Sequence, residues 1–490
     1  MYIRDIFYGY DCEIYGKNTD ITTISIHSEM IGAKCLYFAH NGENFRGRDN
    51  VGGAMKNGAV AVCTDDREVI GMCGEDVTVI FVRNTRHAES FAAERLYPVG
   101  ENMKIIGVTG TNGKTSVCHM GKKVFSALGR KCAYTGTLGT DIEGYEKALS
   151  NTTPPPSVYR KIIHDAASLG VEYVFSEVSS QGILQERTTH TPFHALIFTN
   201  LTHDHLDCHG DMESYFKAKS KVFWQNKCFY IINTDDPYGT RLYDDIGGVS
   251  VSVGEGEGCF VRISSFYQCR GGIAFKVTMG QSEINIYSPL YGMFNAYNIA
   301  LICALAYMEG FSAWEIEYAV NSALKDPVPG RMERYSFGGR DIFVDYAHTP
   351  DALENALCSI REIYGGKIVT VFGCGGERDK TKRSEMGKIA CEYSDHVILT
   401  EDNSRSEETE EIISMIYSGC DSSKTEIYPC RRQAITKGFS LLCRGDVLLI
   451  AGRGSEEYLT DKSGTVKFSD REFVKYLCRG KIKVYVSPLS

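Results

Sequence analysis

Lys104-Ile105-Ile106-Gly107-Val108-Thr109-Gly110-Thr111-Asn112-Gly113-Lys114-Thr115-Ser116 is the stretch from which the rest of the chain can be read. It opens on β-branched residues, passes through glycines and runs into a helical pattern. Val117, Met120, Gly121, Val124, Phe125 and Leu128 fall on one stripe of that helix. The expectation is strand, glycine loop, helix start. Such a loop aims backbone N–H groups and the positive end of a helix at one spot, which suits phosphate. Lys114 can reach outer phosphates, and the Thr115 hydroxyl can hold Mg²⁺. The glycine spacing departs by one position from G-x-x-x-x-G-K-[ST], because Val108 stands where the first glycine would be. A glycine-rich turn with a surface lysine is the bland alternative. Strand, loop, Lys-Thr and helix all agree, so an ATP-binding loop is the working reading.

Working outward, 490 residues set a prior of about three domains. A net charge of −9 argues against a general nucleic-acid or anionic-membrane surface. Residues 1–9 carry Arg4 and Asp5 and no long apolar core, unlike a signal peptide. The longest apolar runs, such as 299–307, are too short to span a bilayer. The expected location is the cytoplasm, the expected state a monomer, and the expected partners small molecules. The 18 cysteines, with no C-x-x-C pair, then read as reduced thiols, not disulfides or a zinc site.

The expected class is α/β in three domains. A small N-terminal α/β substrate domain spans 1–97, with strands at 34–39, 59–63 and 77–82 and a helix at 86–97. A central P-loop ATPase-like domain spans 98–328. Strands at 171–175 and 194–198 end in polar residues, Ser176 to Ser180 and Thr199 to Leu201. In an open parallel sheet, ligands sit at such strand ends. A C-terminal doubly wound parallel sheet spans 329–490, with strands at 342–344, 368–372, 396–400 and 447–450 alternating with helical segments. Its strand ends deliver Arg378, Asn403, Arg405 and Glu456, a rim suited to a zwitterion such as an amino acid.

Two places carry further chemistry. His203, Asp204, His205, Asp207 and His209 form a metal or acid–base candidate, or simply a polar loop. On the helix 212–224, Met212, Tyr215, Phe216, Val222 and Phe223 form the apolar stripe, and Lys219 belongs to it. Lys217 and Lys221 lie about 200° away, facing water. A lysine on an apolar face either snorkels or is used chemically. Asn295 and Asn298 share a helix face and suit either capping or contacts to a base or ribose.

Gly110-Thr111-Asn112-Gly113-Lys114-Thr115, Asn200-Leu201 with Asp204-His205-Leu206-Asp207, Gly330-Arg331-Met332-Glu333-Arg334, Asp345-Tyr346-Ala347-His348-Thr349-Pro350-Asp351 and Phe372-Gly373-Cys374-Gly375-Gly376 follow in order. The chain resembles the Mur ligases of peptidoglycan synthesis, in the MurE-type branch, over nearly its whole length. The resemblance implies an ATP-dependent amide ligase acting through an acyl phosphate. The expected acceptor is UDP-N-acetylmuramoyl-L-alanyl-D-glutamate and the expected amino acid meso-diaminopimelate. It implies that Gly110, Thr111, Asn112, Gly113, Lys114, Thr115, Ser116, Asn298, Arg331, Asp345 and His348, with Tyr346, serve ATP. Thr115, Glu177, His205 and a carbamylated Lys219 would hold Mg²⁺, with Lys114, Lys219, His205 and Glu177 the catalytic set. Ser28, Thr152, Thr153, Ser179 and Arg187 would touch the UDP-substrate; Arg378, Asn403, Arg405, Gly452 and Glu456 would bind the amino acid.

The chain departs from the family pattern at Glu29, Gln181, Ser404, Arg453 and Ser455, all at substrate-facing motifs. Ser404 stands where the family has proline, which leaves the backbone before Arg405 freer. Diaminopimelate carries a distal carboxylate that L-lysine lacks, and Arg405 suits it because a guanidinium pairs bidentately with carboxylate. A surface pair between Arg405 and Glu407 or Glu408 is the alternative. Beside this reading stand an L-lysine-adding enzyme, a diverged paralogue with other substrates, a folylpolyglutamate-synthetase-like ligase, and a P-loop ATPase with a ligand-sensing C-terminal domain.

Overall fold

The opening stretch folds as its pattern predicts, into the strand Lys104–Thr109 and the helix Lys114–Ala127. The computed structural model describes residues 1–42, 45–100, 102–247 and 249–479; the end of the expected third domain, 480–490, lies outside them. The chain divides into two units. One comprises Met1–Thr109, Arg130–Leu196 and Ala218–Cys228; the other Gly110–Gly129, Ile197–Lys217 and Phe229 onward.

In the first unit, Cys12–Tyr15, Thr78–Val82, Ala59–Thr64, Cys35–Phe38 and Thr23–Ser25 lie side by side, the first antiparallel and the others parallel. Alternation along Cys35–Phe38 sends Leu36 and Phe38 into one core with Ile80, Ala88 and Ala92, and Tyr37 into another with Val51, Val62 and Val69. That two-sided burial explains why the strand reads as a continuous apolar run. A second parallel set joins Lys104–Thr109 to Tyr173–Glu177 and Cys132–Gly136. The register sets Glu177 opposite Val108, at the end of the strand that feeds the glycine loop. Gly139–Ile142 and Tyr145–Lys147 extend this set as antiparallel strands. The sequence reading missed them, because short, polar strands carry too few apolar positions to show a period.

In the second unit, Phe229–Asn233, Ser250–Gly254 and Val261–Cys269 are parallel, and Gly272–Met279 and Ser282–Ser288 complete a meander. The helix Met293–Met308 is buried along most of its length. The apolar run 299–307 is thus core, and no helix among the described residues is long and apolar enough to cross a membrane. The last sheet runs Glu333–Phe337, Arg340–Val344, Val447–Ile450, Ile368–Phe372, His396–Leu399 and Thr425–Ile427, all parallel after the first pair. One face packs Leu353, Leu357, Met386, Ile412 and Ile416; the other packs Ala434, Ile435, Phe473 and Val474. Helices on both faces make it doubly wound. Val447–Ile450 enters between two strands formed earlier in the chain, so Ile368–Phe372 and Val447–Ile450 flank a topological switch point.

Candidate functional site

The glycine loop needs its glycines. Gly110 has φ +148°, and a Cβ there would meet Thr199 Oγ1 at 1.9 Å; Gly113 has φ +88°, and a Cβ would meet Asn298 Oδ1 at 2.7 Å. The loop is laced to the next strand end: the Asn112 amide donates to Asn200 Oδ1 (2.9 Å), and Thr199 Oγ1 donates to the Asn112 carbonyl (2.6 Å). Lys114 Nζ sits over the loop, donating to the carbonyls of Gly110 (2.8 Å) and Thr111 (2.7 Å). Asn112 Nδ2 reaches Asp351 Oδ2 at 2.9 Å, at the start of the helix Pro350–Ile363.

Arg331 comes to the same place. Its Nη2 donates to Thr115 Oγ1 (3.2 Å), and its guanidinium lies 4.2 Å from the Tyr346 ring centroid. Burial pushes the Tyr346 phenol up. Asp345 organises this corner without facing outward: Oδ2 accepts from the Met332 amide (2.6 Å) and Oδ1 from the Ala347 amide (2.8 Å). Burial raises its carboxyl. Asn298 is buried against Gly113 and donates to Asn295 Oδ1 (3.3 Å), while Asn295 Nδ2 donates to the Tyr291 carbonyl (2.7 Å). The two asparagines are thus linked to each other and to the turn before this helix start.

The 203–209 cluster does not converge. Asp204 Oδ1 takes Lys382 Nζ (2.9 Å), and its Oδ2 lies 3.4 Å from His205 Nε2 and 3.7 Å from His348 Nε2. Burial would raise the Asp204 carboxyl, but His348, Lys382 and His205 outweigh it and hold it well below its usual range. His203 faces Asp379 (3.2 Å) and Glu385 (3.4 Å), and His209 stacks on Tyr215. No group of three His, Cys, Asp or Glu among the described residues is arranged for a metal. His205 sits at φ +56°, in the left-handed region.

At the C-terminal switch point the expected amino-acid residues do converge. Asn403 Nδ2 donates to Glu456 Oε2 (2.6 Å), and Asn403 Oδ1 accepts from the Thr460 amide (2.8 Å). Burial and the neighbouring Asp402 raise the Glu456 carboxyl. Gly452 has φ +105°, and a Cβ there would meet Asp402 Oδ2 at 2.8 Å. A Cβ placed on Gly375 would lie 3.4 Å from Arg405 Nη1 and 3.8 Å from Arg378 Cγ, so both arginines border one glycine loop. The alternative surface pairing of Arg405 fails: Glu407 is taken by Arg383 and Glu408 by Lys462. Nor is its loop loosened by Ser404. Ser404 is buried, the Gly376 amide donates to the Asn403 carbonyl (2.9 Å), and the Arg405 amide to the Thr460 carbonyl (3.1 Å).

In the first unit, Glu177 is buried. Its Oε1 accepts from Tyr134 (2.5 Å) and the Thr137 amide (2.9 Å), and its Oε2 from Thr137 Oγ1 (3.1 Å). Thr153 is buried and acts as scaffold, donating to the Glu177 carbonyl (2.8 Å) and accepting from the Ser179 amide (2.9 Å). Thr152 Oγ1 meets Thr137 Oγ1 (3.0 Å), and Arg187 Nη1 donates to the Thr153 carbonyl (2.6 Å). Ser28 is elsewhere, its Oγ 3.3 Å from Glu29 and its carbonyl held by Asn57. Lys219 is 1% exposed, as its stripe predicts. Lys217 faces solvent, but Lys221 is half-buried and pairs with Glu186 at 2.9 Å, contrary to the expectation for it.

Comparison with known proteins meets this geometry. A Mur ligase middle domain model matches residues 108–306, and a Mur ligase glutamate ligase domain model matches 330–454. The chain is 35% identical over 488 residues to the UDP-N-acetylmuramoyl-L-alanyl-D-glutamate–2,6-diaminopimelate ligase of Alkaliphilus oremlandii, covering 98% of this chain and 99% of the relative. To the ligase of the same name from Aquifex aeolicus it is 36% identical over 461 residues, 93% of each chain.

The chain belongs to the Mur ligase family.

A solved UDP-N-acetylmuramoyl-L-alanyl-D-glutamate–2,6-diaminopimelate ligase matches this Mur ligase with TM-score 0.68 and 26% identity, over 98% of this chain and 99% of that one. Residues to which sequence reasoning assigned no role brace the candidate positions within each unit of this Mur ligase: Tyr134 and Thr137 around Glu177 in the first, and Asp351 on Asn112, with Lys382 and Arg383, in the second. One signal could have found the last two. They open the helix Lys382–Tyr393, where the helix dipole disfavours cations. Two cations there need dedicated carboxylates, and the fold supplies Asp204 and Glu407.

Proposed function

We propose that this Mur ligase joins meso-diaminopimelate to UDP-N-acetylmuramoyl-L-alanyl-D-glutamate at the expense of ATP, with the domain division 1–97, 98–328 and 329–490. The observation that carries the amino-acid assignment is the rim at which Arg378 and Arg405 border one glycine loop, with the Asn403–Glu456 pair in the adjoining loops. Diaminopimelate is a double zwitterion, so it needs cations and a carboxylate at one place. The names of the relatives at 35–36% identity support the same reading.

In this reading Lys114 and the loop amides neutralise the phosphoryl group as it passes from ATP to the glutamyl carboxylate. Arg331, held by Tyr346 and the Asp345 corner, meets phosphate from the other side. The acyl phosphate is then attacked by the amine of diaminopimelate, and phosphate leaves from the tetrahedral intermediate. Thr115, Glu177, His205 and a carbamylated Lys219 are the residues assigned to Mg²⁺. The oxygen donors of Thr115, Glu177 and the carbamate suit it, and bound there it would neutralise phosphate charge. Thr152, Thr153, Ser179 and Arg187 are assigned to the muramoyl peptide and Ser28 to the uridine end.

The test is phosphate release from purified protein with an amino-acid panel. Release should require both the UDP-muramoyl dipeptide and diaminopimelate, with L-lysine far weaker. Equal ATP hydrolysis without either substrate would instead favour the ligand-sensing ATPase. Arg405→Ala should lower kcat/KM for diaminopimelate by ~10–100-fold, the scale of one lost charge-assisted partner at about 1.5–3 kcal/mol.

A further inference from the structure

Arg383 has no exposed surface, and it bonds to both loops that carry the arginines of the amino-acid rim. Its Nη1 donates to Glu407 Oε2 (2.9 Å), and its Nη2 to Glu407 Oε1 (3.0 Å) and to the Gly375 carbonyl (3.1 Å). Glu407 Oε1 also accepts from the Glu377 amide (2.5 Å). One buried fork therefore ties the loop that bears Arg378 to the loop that bears Arg405. The tie continues at the surface. Ser406 Oγ donates to Glu377 Oε1 (2.5 Å), and Arg405 Nη1 donates to the Gly376 carbonyl. Arg383 is fully buried and the Glu407 carboxylate is filled by Arg383 and the Glu377 amide, so neither is assigned as a ligand for the amino acid. Arg383 and the Glu377 amide hold the Glu407 carboxyl down to about 2, against the pull of burial, so it is a carboxylate at neutral pH.

We propose that the Arg383–Glu407 pair is a positioning unit that sets the spacing of Arg378 and Arg405, and so determines which amino acid the rim accepts. This rests on the reading of the rim as the amino-acid site. The physical case is one of rigidity. Two long arginines on separate loops bind a planar carboxylate well only if both loops are fixed beforehand. A bidentate Arg–carboxylate pair fixes distance and plane together, which a single hydrogen bond does not.

The experiment is steady-state kinetics on full-length Glu407→Gln, with the conservative Glu407→Asp as a second variant and circular dichroism to establish folding. Wild type run on the amino-acid panel tests the reading of the rim. The variants, run on whichever amino acid wild type uses, test the positioning. Glu407→Gln should raise KM for that amino acid by about tenfold and narrow its preference over the competitor, leaving KM for ATP and for the UDP-dipeptide within about twofold. Glu407→Asp, which keeps the charge, should recover part of the loss. In the double variant with Arg405→Ala, the Glu407 effect should largely vanish, because it acts through that loop. An unchanged amino-acid KM, an equal rise in all three KM values, or full additivity with Arg405→Ala would each overturn the proposal.

Discussion

Lys219 is the lysine of its helix that the fold removes from water. A buried ammonium is expensive unless it is paired or its charge is changed, and a carbamate converts it to a carboxylate-like ligand. Lys219→Ala should abolish most ligase activity, and bicarbonate or short carboxylates should restore part of it; near-normal activity in the unsupplemented variant would end the carbamate assignment. Lys217 is the internal control. Its side chain is 70% exposed, and Lys217→Ala should stay within about 0.5 kcal/mol of wild type in stability and keep its activity. Lys221 is a poorer control than its spacing suggested, since it holds Glu186, although an ion pair so near the surface contributes about 0–1 kcal/mol.

At the scale of elements, the site is made of loops held from behind. Gly113→Ala would place a methyl group 2.7 Å from Asn298 Oδ1 on a backbone with φ +88°. It should raise KM for ATP sharply while leaving the amino-acid KM near wild type, since the C-terminal rim is built from other loops. Behind that rim lies a second buried fork. Arg431 donates to Asp470 through Nε (2.8 Å) and Nη2 (2.7 Å), and its Nη1 and Nη2 reach the carbonyls of Glu401 (3.1 Å) and Ala451 (2.9 Å). It thereby joins the ends of two sheet strands to the helix Asp470–Cys478. Removing one member of a buried pair leaves the other charge uncompensated, so Asp470→Ala should destabilise by about 3–5 kcal/mol, read as a lower urea midpoint at unchanged slope.

For the molecule as a whole, the acid limb of stability follows from carboxyls held below their usual range, among them Glu407, Asp204, Glu89 and Asp379. A group depressed on folding contributes stability that is complete above its unfolded pKa and lost as pH falls through its folded one. For Glu407 that window runs from 4.5 down to about 2. Wild type should therefore lose Tm steadily between about pH 5 and pH 2, and Glu407→Gln should lose less over that interval, because the variant has no proton to take up there. Parallel curves would show that Glu407 is not depressed.

Residues whose neighbours are close in sequence were legible from the start. The strand–loop–helix of 104–116, the inward face of Lys219 and the alternating C-terminal strands follow from short-range periodicity and glycine placement, which any fold of this chain must respect. The convergence of Arg378, Asn403, Arg405 and Glu456 was legible too, because parallel strands end at one edge of their sheet. The partners were not. Asp204 and Lys382 are 178 residues apart, and Asn112 and Asp351 are 239 apart. Such pairs leave no period in the sequence; they depend on which loops the topology brings together. For the same reason the histidines at 203–209, adjacent in the chain, point to different neighbours, and Arg383, a cation at a helix start, finds its carboxylate only in the folded molecule.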